Sequence, residues 1–278
     1  MKAHRWLRDE ADERLEGLFS DDPDEVHVSI RDLLESAEDD PEIEDLLAET
    51  LRSSLDKEHD DTQASVWIVL ILGQIGTELS LPVLLAALSS SDEALAATAV
   101  RSLQLLGREA LEAALERLEE DEDVEPSHFA AVCEVLEGVQ LHDLPDVRAR
   151  IEDCLIEHLR KSAATEAALL GNRLRTTETA ALTLAHLGVA GARADVERVV
   201  AKTGGTNAFL LDAVEIMNEQ PGGIPFRGGT TWENEFERTS AEGFADGGGN
   251  ATDGPQHFDL EVEETSEERI LRLRRRPS

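Results

Sequence analysis

The sequence predicts an all-α protein, a stack of helical hairpins in the form of an α-α superhelix. Three observations carry that expectation: helix-ending segments recur at a nearly fixed interval, their apolar residues follow a 3.6-residue period, and a second amphipathic stretch follows each ending. The endings are I-L-G-Q-I-G at Gly76, S-L-Q-L-L-G at Gly107, V-L-E-G at Gly138, T-L-A-H-L-G at Gly188 and A-V-E-I-M-N at Asn218. They are separated by 31, 31, 50 and 30 residues, the long interval containing an insertion.

From the N-terminus, Glu10 to Phe19 reads as a capping helix, and Glu25 to Ser36 with Ile43 to Leu55 as a degenerate opening pair. The run V-W-I-V-L-I-L-G-Q-I-G, Val66 to Gly76, is the most apolar of the chain. Its β-branched residues favour a strand. A membrane span is excluded, because one needs roughly 20 apolar residues and Asp60, Asp61 and Glu78 bound this run. The period decides for helix. Counting back from the stop, Ile75, Leu72, Ile68 and Ala64 repeat the spacing of Leu106, Leu103, Ala99 and Leu95, and of Leu187, Leu184 and Ala180. The further apolar residues Trp67, Val69 and Leu70 predict a helix covered on several sides.

After each stop comes a shorter helix: Leu81 to Leu88, Ala110 to Leu118, Val147 to Leu159 and Ala192 to Ala201. Pro82 and Pro145 suit first turns, and Ser80, Asp92, Asp143 and Thr177 are predicted N-caps. Glycine or asparagine at each stop supplies the left-handed residue that ends a helix. About five to six hairpins are expected over residues 1–220.

This pattern resembles the HEAT-repeat family, including its short-repeat branch related to phycobilisome lyases, whose second helix closes with a motif like A-L-G-x-I-G. The resemblance runs from Glu25 to Gln220 and is best at Ile71 to Gly76. The family often opens this helix with an Asp followed by an Arg that ladders between repeats. Asp61 and Asp92 keep the acid, whereas Ser65 and Ala96 stand at the Arg position. The resemblance implies that the glycine-ended helices line a concave side. Off their core stripe lie Gln74, Thr98, Arg101, Gln104, His186, Asp212 and Glu215, the expected partner contacts. Trp67 and Phe209, both nine residues before a stop, either fill core or anchor a partner.

Beyond Gln220 the composition changes. Nine of 19 glycines lie there, so 221–255 reads as a linker and 256–278 as a tail. In the tail Phe258, Leu260 and Val262 alternate with acids, and Ile270 to Arg276 is basic. A β-hairpin with an acidic strand beside a basic one is one reading; an unstructured or helical tail is the other.

The net charge is −34, and of 26 basic residues only Lys2, Lys57, Lys161 and Lys202 are lysine. Carboxylates at this density repel one another in dilute buffer, but at about 1 M salt the screening length falls to roughly 3 Å. The composition therefore reads as halophilic, of the kind a haloarchaeal cytoplasm requires. It argues against wholesale nucleic-acid binding, which needs clustered Lys or Arg. No secretory h-region opens the sequence, so the expected location is cytoplasmic, without membrane insertion.

Catalytic signatures are sparse. None of the eight histidines is followed by glutamate, so the His-Glu pairs of iron-dependent hydroxylases with this architecture are missing. Cys133 and Cys154 lack His or Cys partners at metal-ligand spacing and read as small buried hydrophobes. No phosphate-binding glycine motif occurs, and K-T-G-G-T-N at Lys202 reads as a loop between helices. No cofactor or metal is expected. The sequence thus points to a non-enzymatic scaffold for a protein partner. A lyase-like enzyme, or a nucleic-acid-associated protein using Arg272, Arg274, Arg275 and Arg276, are the alternatives.

Overall fold

The computed structural model describes residues 13–56, 63–120, 125–139, 141–164 and 171–224, and the backbone of 260–265 and 268–273. Eleven α-helices occur among them: α1 (Pro23–Ala37), α2 (Glu42–Asp56), α3 (Gln63–Ile75), α4 (Leu81–Ala87), α5 (Glu93–Leu106), α6 (Arg108–Glu120), α7 (Pro126–Glu137), α8 (Pro145–Ala164), α9 (Asn172–His186), α10 (Arg193–Lys202) and α11 (Ala208–Glu219). The predicted capping helix is a 3-10 turn over Glu13–Phe19 in its described part. It lies against α1 and α3 and buries Leu15, Leu18 and Phe19.

Five hairpins, α2–α3, α4–α5, α6–α7, α8–α9 and α10–α11, stack in order, each helix touching its counterpart in the next hairpin. The glycine-ended helices α3, α5, α7, α9 and α11 make one layer, and α2, α4, α6, α8 and α10 the other. The chain is an all-helical solenoid over residues 13–224, with one continuous apolar core between the layers. Every residue of α3 from Ala64 to Gly73 is buried, as its apolar excess predicts. At about 1.5–3 kcal/mol per buried large aliphatic side chain, this helix is the largest single store of burial energy in the fold.

Successive layer helices α3 and α5 approach each other closely. A Cβ on Gly73 would lie 2.4 Å from the Ser102 Cβ and 2.7 Å from its Cα. Ser102 Oγ uses the approach to donate to the Val69 carbonyl at 2.9 Å. The other layer is linked by arginines: Arg108 on α6 pairs with Asp146 on α8, Arg150 on α8 with Glu119 on α6, and Arg160 on α8 with Asp195 on α10. In the glycine-ended helices the sequence already lacked the arginines of an Asp-Arg ladder, with Ser65 and Ala96 at their positions. Ser65 instead shares a buried hydroxyl contact of 2.7 Å with Ser54, and Asp61 lies outside the described residues.

Some local expectations need correction. Gly76, Gly107 and Gly188 have φ of 72°, 69° and 70°, as a helix stop demands. Gly138 has φ −86°, and Asn218 is still helical, α11 ending at Glu219 with Gln220 as its cap. Asp92 caps α5 by accepting from Leu95 N at 2.9 Å, but Ser80 makes no cap bond and donates its hydroxyl to buried Glu44 at 2.5 Å. Asp143 belongs to a short 3-10 turn before α8. Thr177 is mid-helix and buried, because α9 begins at Asn172 and the Thr177 hydroxyl satisfies itself on the Arg173 carbonyl at 2.6 Å.

A separate unit, residues 240–278, contains strands β1 (Leu260–Thr265) and β2 (Glu268–Leu273) paired antiparallel. The register sets Glu261 opposite Arg272 and Glu264 opposite Arg269.

The Gly73 contact yields a test. In an exposed helix Gly→Ala adds up to about 1 kcal/mol of stability. Gly73→Ala is instead expected to lose about 1–3 kcal/mol in chemical denaturation, the cost of overpacking a rigid contact. Adding Ser102→Ala should not restore it, since the Ser102 Cα remains in the way.

Candidate functional site

The glycine-ended layer presents its polar residues at fixed positions before each stop. Two before the stop stand Gln74, Leu105, His186 and Ile216. In α7 the apolar stripe is displaced by one residue: Val135 and Val132 are buried like Leu103 and Val100, which are four and seven before Gly107. Counted with that offset, Glu137 joins the row. By this count Gln74, Leu105, Glu137, His186 and Ile216 hold equivalent positions near the C-terminal ends of the five helices.

Contacts at these positions are specific. His186 Nδ1 and Glu137 Oε2 are 2.8 Å apart, bridging α9 and α7. That hydrogen bond, and the carboxylate charge behind it, raise the His186 pKa against a smaller opposing effect of burial. Glu134, one turn earlier, is also raised, by partial desolvation and by the Glu137 charge, while Arg101 pulls it down. Gln104 Nε2 donates to the Glu134 carbonyl at 2.9 Å and so closes the last turn of α7. Gly138 makes room for it, since a Cβ there would fall 1.8 Å from that nitrogen. Glycine at 138 thus serves a close approach rather than a left-handed turn.

The expected contact residues divide accordingly. Asp212 and Glu215 on α11 are exposed. Arg101 and His186 are half-buried and charged or chargeable at the surface. Gln104 is committed to the α5–α7 joint. Gln74 is half-buried, and its Nε2 has no hydrogen-bond partner among the described residues. Thr98 does not belong to the surface: it is 1% exposed, donates to the Ala94 carbonyl at 2.8 Å and accepts from Arg101 Nη2 at 3.1 Å. Position nine is shielded in mid-stack, which is also why Trp67 is core at 1% exposure while Phe209 in the last helix is 56% exposed. Arg272 lies on β2, and Arg274, Arg275 and Arg276 fall outside the described residues.

Glu134 and Glu137 are the functional candidates that sequence reading missed. Their signal is acid at places where a stop-aligned comparison expects apolar residues, which the one-residue offset of α7 explains. Cys133 is buried and its thiol pushed far up by desolvation, and Cys154 is pushed up to about 11 for the same reason, so neither is a reactive thiolate. Among the described residues no group of three or more His, Cys, Asp or Glu is arranged to hold a metal ion. No described helix is long and apolar enough to cross a membrane.

No protein-family model matches the chain, and no curated protein matches it. Among solved structures, an engineered protein determined by the Northeast Structural Genomics Consortium is similar at 15% identity and a TM-score of 0.36, over 81% of this chain and 98% of that one. A likeness of that size carries neither fold nor function across.

Two titrations check these environments. Glu137→Gln should lower the His186 pKa, read by NMR. The unaltered pair stabilises below the unfolded histidine value of about 6.5 and loses that contribution as pH rises through the raised folded value, so the variant should flatten stability on the alkaline side. His158 behaves oppositely. Burial, helped by Lys161 and Arg173, pushes it down to about 4, beside Thr176 at 3.2 Å and the Phe129 ring at 4.9 Å. Its neutral form stabilises fully above about 6.5, and on the order of 3 kcal/mol is lost as pH falls toward 4. His158→Gln should remove that acid-side slope relative to the unaltered chain.

Proposed function

We propose that the chain is a non-catalytic scaffold of the HEAT-like kind that holds a protein partner along its glycine-ended layer, in a salt-rich cytoplasm. The observation that carries the reading is the Glu137–His186 bridge between α7 and α9, at equivalent positions in a row of residues along the five helices. That row combines a paired acid and imidazole, Glu137 and His186, with exposed Leu105, and the last helix adds exposed Phe209, Asp212 and Glu215 outside the row. Stacked hairpins bury their core between neighbours and offer a long surface, which suits an extended chain better than a small substrate. An aromatic side chain and a half-buried arginine are the groups that dominate binding energy at such surfaces.

The partner fits this face through apolar anchors beside fixed charges. Surface charge alone gives little affinity at high ionic strength, so Phe209 and Leu105 supply the contact that salt does not screen. Of the basic residues in the tail, Arg272 and Arg269 stand opposite Glu261 and Glu264 of their own hairpin, which favours that pairing over a nucleic-acid backbone.

Cross-linking followed by mass spectrometry at about 2 M KCl identifies the partner, and variants then test the face. Arg101→Glu and Phe209→Ala should each weaken binding about tenfold or more, roughly 1.4 kcal/mol. Arg193→Ala and Glu197→Ala, an exposed pair on the other layer, should leave it unchanged. The reverse pattern would place the partner on the other layer and sink the proposal.

A further inference from the structure

Each hairpin of the array covers the one before it, and among the described residues none follows α10–α11. The flank of a glycine-ended helix that meets its successor carries the positions seven and three before the stop: the Val69 carbonyl and Gly73 meet Ser102 on α5, and Gln104 meets α7. Position seven is buried at Val69, Val100 and Ala181, and at Val132 once the offset of α7 is counted. In α11 it is Leu211, 43% exposed, with exposed Glu215 one turn on. Phe209, two residues away and so about 200° around the helix, lies on the opposite flank.

The other layer ends in the same way. Asp195 and Lys202 on α10 reach back to α8, at Arg160 and the Ala163 carbonyl. Arg193 and Glu197, two residues to either side of Asp195 and about 200° around the helix from it, therefore face away from α8. Arg193 stands three before buried Val196 and donates to Glu197 at 2.8 Å, as Arg108 stands before Leu111 and donates to Glu112, and Arg148 before Ile151 and donates to Glu152. In α6 that arginine also reaches forward to Asp146 of the next hairpin. The last hairpin thus turns outward an apolar residue and an arginine at places that join hairpins further in. Repeat arrays require a polar outer face on their terminal units. The N-terminal end is already covered, by the 3-10 turn that buries Leu15, Leu18 and Phe19 against α1 and α3. At the other end the chain leaves α11 through Gly222 and Gly223, whose backbone presses on Gly188 so tightly that no Cβ fits at 188 or 223. Ile224 N then donates to the His186 carbonyl at 2.8 Å, so the chain runs back toward α9 and away from the open flank.

We propose that this α10–α11 flank is the interface of a dimer, two copies of the chain meeting face to face about a two-fold axis parallel to these helices. Only one end of each array is open, so the contact closes at two copies. Charge selects the pairing. α11 carries Asp212, Glu215 and Glu219 and no base, whereas α10 carries Arg193, Arg198 and Lys202 against Asp195 and Glu197. The axis sets α10 of one copy across α11 of the other. Since α10 and α11 run antiparallel about the turn at 203–207, half-buried Val200 of one copy comes level with Leu211 of the other. Arg193 comes within a turn of Glu215, an arginine facing an acid of the next hairpin as Arg108 faces Asp146. Phe209 on the far flank, and Asp212 between the flanks, stay outside the contact and remain with the partner surface.

Sedimentation equilibrium of the full chain at about 2 M KCl tests this. The mass of two chains is expected at micromolar concentration, with no further growth as concentration rises. Leu211→Asp should raise the dissociation constant about tenfold or more, roughly 1.4 kcal/mol; Leu211 is exposed, so circular dichroism should not change. Arg193→Glu should weaken the dimer about threefold, a surface pair under salt, and Glu215→Arg in the same chain should restore it, because the two-fold alters both members of the pair together. Leu105→Asp, on the partner surface, should leave the mass as it was. A one-chain mass throughout the micromolar range, growth beyond two copies, a dimer indifferent to Leu211→Asp, or additive losses from Arg193→Glu and Glu215→Arg would each overturn the proposal. Partner binding lost from an intact dimer bears on the scaffold reading alone, and a one-chain mass with partner binding intact rejects the dimer alone.

Discussion

Close approach between successive glycine-ended helices is the constraint on which the remainder of the structure depends. Gly73 against Ser102 brings α3 and α5 near enough for a side-chain hydroxyl to reach a neighbouring backbone carbonyl. Gly138 against Gln104 does the same for α5 and α7 with an amide. In both places a missing Cβ lets one helix satisfy polar groups of the next, so the seam is specified by hydrogen bonds as well as by apolar volume. Because each hairpin contacts only its neighbours, such contacts set the register of the stack one step at a time.

Charge is handled differently on the two layers. Burial alone would raise Asp195, but hydrogen bonds from Arg160 and Arg198 and their charges hold its carboxyl below the usual range. Glu44 is likewise 3% exposed and takes hydroxyls from Thr77 and Ser80. Removing one partner of such a buried group costs more than the bond itself is worth. Arg148 and Lys202 serve the backbone instead, donating to the Leu187 and Ala163 carbonyls at the ends of α9 and α8. A chain of net −34 thus spends several of its scarce cations on joints between helices rather than on neutralising its surface.

The architecture was legible in the sequence because it is a periodic property. Counting back from Gly76, Gly107 and Gly188 places Leu72, Leu103 and Leu184 on one face, and that face is core. Strand propensity in Val66 to Ile71 lost to this long-range regularity, as propensity commonly does. What was not legible is local and depends on neighbours. Thr177 has the chemistry of an N-cap, yet α9 begins five residues earlier and encloses it. Ser80 has a cap's position, but the buried carboxylate of Glu44 competes for its hydroxyl. The offset of α7 is the instructive case: a glycine assumed to mark φ above zero marks a contact instead. No partner contact was read on that helix, and Glu137 went unnoticed beside His186.

The crossing of Gly222 and Gly223 over Gly188 has a mechanical consequence. Tension applied to the C-terminal part of the chain enters the array at the penultimate hairpin, through the His186 carbonyl, and not at the last one. The terminal hairpin is thereby spared the load that would otherwise peel it away first, and the array is anchored from inside its own edge.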